Sequence, residues 1–200
     1  MTVSHPLPAQ RPPIVSARSP SARLALLAIG VLLLSLSSYV AIPMAPVPIT
    51  MQTLAVTLVG ALYGWRMGTV SVAVWLALGA AGLPVLADGG SGLQKFMGPT
   101  AGYLFAFPLA AALAGGLVQR GWDGGRLGLA FAAMLAATAL CLLFGGAWLA
   151  VTIGWEKALM KGVAPFVPGG VIKSLAAALV LKVVHAHGYG RAPYGGADSA

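Results

Sequence analysis

Long apolar runs almost free of charge are the feature that most limits what this chain can fold into. They lie at about residues 21–40, 50–64, 67–82, 101–119, 127–151 and 169–187. A helix that crosses the hydrocarbon core needs about 20 mainly apolar residues, and it satisfies its own backbone polar groups. The pattern therefore predicts an all-α integral membrane protein with about six transmembrane helices. The second and third runs are short, which favours tilted or partly re-entrant helices beside a cavity.

The charge content excludes a water-soluble fold. Charged residues make up 8% of the 200 residues, against roughly 25% in soluble domains, so they cannot cover a water-facing surface. The chain has 12 Lys and Arg but only 4 Asp and Glu. In a soluble protein this excess would suggest a nucleic-acid partner. Here the membrane topology explains it better, and the expected partner is the lipid bilayer rather than nucleic acid.

Three regions follow from this pattern. Residues 1–20 are rich in proline with Arg11 and Arg18, a composition typical of a disordered tail. A signal peptide is the alternative, but the apolar run after Arg23 is too long for its core. Residues 21–187 form the predicted six-helix membrane domain, and residues 188–200 form a flexible tail.

The distribution of basic residues predicts the orientation. Cytoplasmic loops carry excess Lys and Arg, and the two tails with the second and fourth connections hold eight of these residues. They are Arg11, Arg18, Arg23, Arg66, Arg120, Arg126, Lys182 and Arg191. We therefore expect both termini in the cytoplasm. The first, third and fifth connections then face outward, and we expect them to fold over a ligand pocket because irregular backbone at membrane depth needs cover.

Two charged residues are candidates for this pocket. Lys173 lies inside the last apolar run, where a charge costs at least about 2.5 kcal/mol and normally faces a partner or a cavity. Snorkelling to the headgroups is the alternative for Lys173. Asp88 lies among glycines of the third connection, where it can accept N–H groups of a ligand or pair with Lys173 or Lys95. A solvated loop acid is the alternative for Asp88.

Four uncharged polar residues lie at the same predicted rim. Thr50 and Gln52 begin the second apolar run, and the amide of Gln52 can both donate and accept, which suits a ligand with a urea or amide edge. Thr100 and Tyr103 open the fourth run. Helix capping would also explain both threonines, and placement in an interfacial aromatic belt would explain Tyr103.

The sequence does not predict an enzyme. His5, His185 and His187 all fall in or near the tails, and no apolar run carries histidines or paired acids with the spacing of a metal or protease site. The stretch before Lys173 fails as a phosphate loop because Ile172 stands where glycine is needed. We expect no cofactor, no metal site and no catalytic residue.

Four stretches together resemble the BioY family, the biotin-binding S components of energy-coupling factor (ECF) transporters. They are residues 41–53 (AIPMAPVPITMQT), 79–85 (GAAGLPV), 98–103 (GPTAGY) and 162–169 (GVAPFVPG) with Lys173. The resemblance runs from about residue 21 to 187. It implies six helices, an outward-facing biotin site, and partners consisting of a transmembrane scaffold (T) subunit and ATPase (A) subunits in a bacterial cytoplasmic membrane.

The chain departs from the family pattern in three places. Gly170 stands where an acidic residue is usual, and Asp88 stands where many members have asparagine, which suggests that an acceptor has moved between loops. Ala22, Ala25 and Ala28 repeat at three rather than four residues on the segment expected to dock the scaffold. An S component for a different vitamin or small carboxylate solute is the main alternative. A structural protein would need no pocket at all.

Overall fold

The computed structural model describes residues 11–16 and 19–188. Parts of both expected tails lie outside the described residues, namely residues 1–10, 17–18 and 189–200. These ranges include Arg18 and Arg191.

The described residues are mostly helical, with one very short hairpin. Strands β1 (Ala41–Ile42) and β2 (Ile49–Thr50) pair antiparallel in the first connection. The helices are α1 (Pro20–Tyr39), α2 (Gln52–Ala80), α3 (Ala101–Gln119), α4 (Leu127–Ile153), α5 (Trp155–Ala158) and α6 (Phe166–Ala186). Two 3₁₀ turns, Ala87–Gly89 and Leu93–Phe96, lie in the third connection. A π-helical turn, Leu159–Val163, joins α5 to α6.

Within the described residues, four helical segments are long and apolar enough to cross a membrane: α1, α3, α4 and the segment Trp155–Ala186, which runs through α5 and α6. The prediction of a helical, multi-pass fold is therefore confirmed. These four segments, identified from length and composition alone, are fewer than the six or so predicted spans. The difference lies in α2, where two short segments were expected.

Helix α2 is broken at Gly64. Its φ of 76° and ψ of 169° are not helical, and such a positive φ favours glycine. A Cβ atom added to Gly68 would lie 2.6 Å from the Cα of Gly60, although eight residues of straight helix span about 12 Å. The two halves of α2 therefore fold back on each other as a helical hairpin. This places the turn inside the gap that separates the expected segments 50–64 and 67–82.

Helix α3 occupies the centre of the bundle, packed chiefly against α2 and α4. Small residues form its buried face, among them Ala106, Ala110, Ala111 and Ala114, each fully buried. Small side chains let helix backbones approach closely, which is the usual way that helices pack within a membrane. The close approach fixes the position of the end of α3 that carries Tyr103.

Residues 11–16 pack on one end of the bundle, which differs from the expected disordered tail. The amide of Arg11 donates to the carbonyl of Gln119 at 2.8 Å, and the amide of Val15 donates to that of Leu62 at 2.9 Å. The Arg11 guanidinium forms an ion pair with Asp123 at 2.6 Å. Composition alone could not reveal this, because the partners are more than 40 residues away along the chain.

The same end holds the other connections that were predicted to share a side. The side chain of Gln119 accepts from the amide of Trp65 beside the α2 break, and Gly124 in the loop before α4 packs against Leu181 and His185 near the end of α6. The first, third and fifth connections meet at the opposite end. The predicted sorting of connections into two groups therefore matches the fold.

Candidate functional site

A cavity of about 450 Å³ lies between the first and third connections and helices α3, α4 and α6. This volume lies in the range of about 300–1,000 Å³ that is typical of small-molecule sites. Its walls come from β2 and the start of α2, from the 3₁₀ turns, and from the starts of α3 and α6. All six residues singled out from the sequence lie on its wall: Thr50, Gln52, Asp88, Thr100, Tyr103 and Lys173.

Lys173 brings a positive charge to the cavity wall. It lies in the second turn of α6 and is half-buried, and its Nζ donates to the carbonyl of Thr50 at 2.9 Å. This bond links α6 to the first connection. An ammonium has three donors, so two remain for a ligand. No carboxylate of the described residues pairs with Lys173, so an anionic group in the cavity would meet a cation without a counter-ion.

Gln52 lies at the start of α2 with only 4% of its surface exposed. Its Oε1 accepts from the Thr50 hydroxyl at 2.9 Å, and its Nε2 donates to the Ser38 hydroxyl at 3.0 Å. Both ends of the amide are thus engaged within the protein, and one N–H of the amide remains. The bonds tie α1, β2 and α2 together, so Gln52 fixes the positions of its neighbours as well as lining the cavity.

Tyr103 presents its ring rather than its hydroxyl to the cavity. The hydroxyl donates to the carbonyl of Gly162 at 2.6 Å. The ring stacks on Phe166, with centroids 6.0 Å apart and planes inclined by 24°. Together with Phe107, these rings form an aromatic wall. Such a wall suits the apolar part of a ligand.

The third connection carries Asp88 over the cavity. Asp88 is exposed and has a left-handed backbone with φ of 56°, a conformation that aspartate tolerates better than most residues. It forms no ion pair with Lys95, Lys173 or any other described residue. Its carboxylate is therefore available to a ligand. The proposed pairing of Asp88 with a lysine is not present in this structure.

Aromatic side chains anchor both ends of this connection. The Tyr39 hydroxyl donates to the carbonyl of Pro84, and the Trp75 indole donates to that of Val85 at 2.9 Å. At the other end the Trp148 indole donates to the carbonyl of Gly98 at 3.0 Å. The segment between these anchors contains the two 3₁₀ turns and Asp88. Its position over the cavity is thus fixed from both ends.

Neither threonine caps a helix in the way that the sequence suggested. Thr100 occupies the N-cap position of α3, but its hydroxyl donates to the carbonyl of Lys95 at 3.4 Å. The N-cap of α2 is Met51. The Thr50 hydroxyl accepts only a long contact of 3.4 Å from the Gln52 amide. Strand pairing of Thr50 with Ala41 takes the place of a cap.

Sequence reasoning left several cavity residues out of the site. Thr53 and Lys95 line it, as does Thr138, whose hydroxyl contacts that of Ser174 at 3.1 Å. Lys95 follows a glycine-rich loop, and this position could have indicated that it lies in the site. Thr138 lies in the long apolar run of α4, where nothing in the sequence distinguishes a cavity-facing threonine from one bonded to its own helix.

The arrangement suits a small, partly apolar solute that carries an anionic group. Lys173 supplies the cation, the aromatic wall supplies apolar contact, and Asp88 supplies an acceptor for N–H groups at the opening. The walls hold only a few polar groups among many apolar ones, which is the usual composition of a specific ligand pocket.

Comparison with known proteins agrees with this geometry. The model of the BioY family matches residues 10–189. A probable biotin transporter BioY of Pyrococcus horikoshii is 34% identical over 78% of this chain and 91% of its own. The biotin transporter BioY of Rhizobium etli is 38% identical over 80% of this chain and 89% of its own.

A solved structure has a similar fold. It is the S-component for biotin from an ECF-type ABC transporter, and it aligns with a TM-score of 0.70 and 26% identity. The alignment covers 88% of this chain and all of the other. The similarity therefore extends over the helical bundle as a whole.

Proposed function

The chain belongs to the BioY family, and we propose that it binds biotin for uptake across the bacterial cytoplasmic membrane as the substrate-binding subunit of an ECF-type transporter. The observation that carries this proposal is the Lys173 ammonium on the wall of a largely apolar cavity, where no carboxylate of the described residues pairs with it. Biotin has a carboxylate for this cation, an apolar ring and chain for the aromatic wall, and a urea edge that needs acceptors.

The proposal includes partners and a topology. The T and A subunits of the transporter would dock on the membrane domain, and the exposed Ala25 and Ala28 of α1 offer a surface of small residues for close helix contact. Six membrane-embedded helices follow if each half of α2 counts separately. The halves are about 18 and 24 Å long, from their residue numbers and a rise of 1.5 Å per residue. They are shorter than a full span of about 30 Å.

Titration of the purified, lipid-reconstituted protein with biotin tests the function. We expect saturable heat release in calorimetry, with one biotin bound per chain. A different vitamin or small carboxylate that binds while biotin does not would favour the alternative S component. Absence of binding by every such solute would favour a structural protein.

Substitution of Asp88 should change recognition of the urea edge. A buried donor left unpaired costs about 1–3 kcal/mol, and the acidic residue usual at Gly170 is absent. We therefore propose that Asp88 accepts a urea N–H. Asp88→Ala should raise the dissociation constant roughly tenfold or more, whereas Asp88→Asn should retain much of the affinity through its carbonyl. Calorimetric titration measures both.

Glu156→Ala is a matched control for Asp88, because Glu156 is also an exposed acid but does not line the cavity. The Glu156→Ala variant should bind biotin with the same affinity as the parent. Unchanged affinity in Asp88→Ala would remove the acid from the site and direct attention to Thr50, Thr100 or Gln52.

Tag accessibility tests the proposed orientation. The basic residues gather at the end of the bundle that holds Arg66, Arg120 and Arg126, and the positive-inside rule assigns that end to the cytoplasm. A cysteine-containing tag at either terminus should therefore resist a membrane-impermeant thiol reagent in intact cells and react after lysis. Labelling of the C-terminal tag in intact cells would reverse the topology and place the cavity on the cytoplasmic side.

A further inference from the structure

Thr53 carries an unusual hydroxyl. Among residues 11–16 and 19–188, its Oγ1 is the buried side-chain polar atom that lacks a hydrogen-bond partner. Thr53 also lines the cavity. A buried polar group without a partner lowers stability, so native proteins rarely keep one without a reason.

Local backbone geometry explains why Thr53 has no partner. Helical serine and threonine usually bond to the carbonyl three or four residues earlier. Thr57, one turn later, does so with the carbonyls of Thr53 and Leu54 at 3.0 and 3.1 Å. For Thr53 those positions are Thr50 and Ile49, which belong to strand β2 rather than to the helix.

The ammonium of Lys173 is bonded to one of these two carbonyls. It donates to the carbonyl of Thr50, which is three residues before Thr53. Thr53 and Lys173 also line the same cavity. The orphan hydroxyl and the cation therefore belong to one part of the chain's ligand-binding wall, with the bonded Thr50 carbonyl three residues before Thr53.

We propose that Thr53 donates a hydrogen bond to the carboxylate of the bound ligand, together with Lys173, and so selects a free acid over an amide or ester. This deepens the proposed function and rests on it. The oxygen is covered in the free protein, so this bond requires a rotation about χ1 that turns it towards the cavity. Helical threonine has two accessible χ1 rotamers, so this rotation leaves the backbone in place.

Thr53→Val tests the proposal because it keeps the shape of the side chain and removes the hydroxyl. Since the hydroxyl has no partner in the free protein, the variant should unfold at the same temperature as the parent or higher. Its dissociation constant for biotin should nevertheless rise roughly tenfold. Thr53→Ser, which keeps the hydroxyl, should stay close to the parent. If the hydroxyl had a purely structural role, Thr53→Val would not combine a parent-like unfolding temperature with weaker biotin binding.

Biotinamide, which lacks the carboxylate, identifies the group that Thr53 contacts. The effect of Thr53→Val should be clearly smaller with biotinamide than with biotin. Equal losses with both ligands would overturn the assignment to the carboxylate, and unchanged biotin affinity in Thr53→Val would overturn the proposal. Failure of the parent protein to bind biotin at all would instead overturn the proposed function.

Discussion

Replacing Lys173 by methionine is expected to raise the dissociation constant for biotin by roughly 10- to 100-fold. A hydrogen bond to a charged group contributes about 1.5–3 kcal/mol, and each 1.4 kcal/mol changes affinity tenfold. The ammonium lies half-buried beside the Thr50 carbonyl, with two donors left for a carboxylate. Methionine has a similar length and no charge. Calorimetric titration of the reconstituted variant measures the change.

Lys161→Met is the matched control, because Lys161 is an exposed lysine at the same end of the bundle and does not line the cavity. It should bind biotin as the parent does. Lys173→Met also loses the bond to Thr50, which could disturb the first connection. Biotinamide separates the two effects, because loss of the charge matters only for a ligand with a carboxylate. If Lys173→Met bound biotin as tightly as the parent, the better interpretation would be that Lys173 extends to the lipid headgroups and does not bind the ligand.

The sequence was sufficient to locate most helices and the principal charge of the site. The expected segment 101–119 coincides with α3, and those at 21–40 and 127–151 differ from α1 and α4 by one or two residues. Uncharged apolar runs determine helices in lipid with few alternatives. Lys173 could be recognised because a cation deep within such a run normally faces a partner or a cavity.

What the sequence could not predict depends on contacts between distant residues. The bond between Gln52 and Ser38 joins α1 to α2. The free hydroxyl of Thr53 results from a strand that ends only two residues before α2 begins. Short helix α5 and the π-helical turn after it lie between the expected segments 127–151 and 169–187 and were not predicted. Local composition cannot resolve such features.

The close contact between α2 and α3 depends on Gly60, and its replacement should destabilise the fold strongly. A Cβ atom at this position would lie 2.7 Å from the Cα of Ala111. That atom belongs to the backbone and cannot turn aside as a flexible side chain would. Overpacking of this kind typically costs about 1–3 kcal/mol or more.

Gly60→Ala is therefore expected to lower the unfolding temperature markedly and to weaken biotin binding, because α2 and α3 carry Thr53 and Tyr103 to the cavity. Gly116→Ala is the matched control on α3, where an added Cβ meets no atom within 4 Å. Since alanine is favoured over glycine inside a helix by about 1 kcal/mol, that variant should be as stable as the parent or more so. Thermal unfolding in lipid nanodiscs compares the two. Equal unfolding temperatures for Gly60→Ala and the parent would mean that α2 and α3 can separate at this point without loss, and that the fold does not depend on this contact.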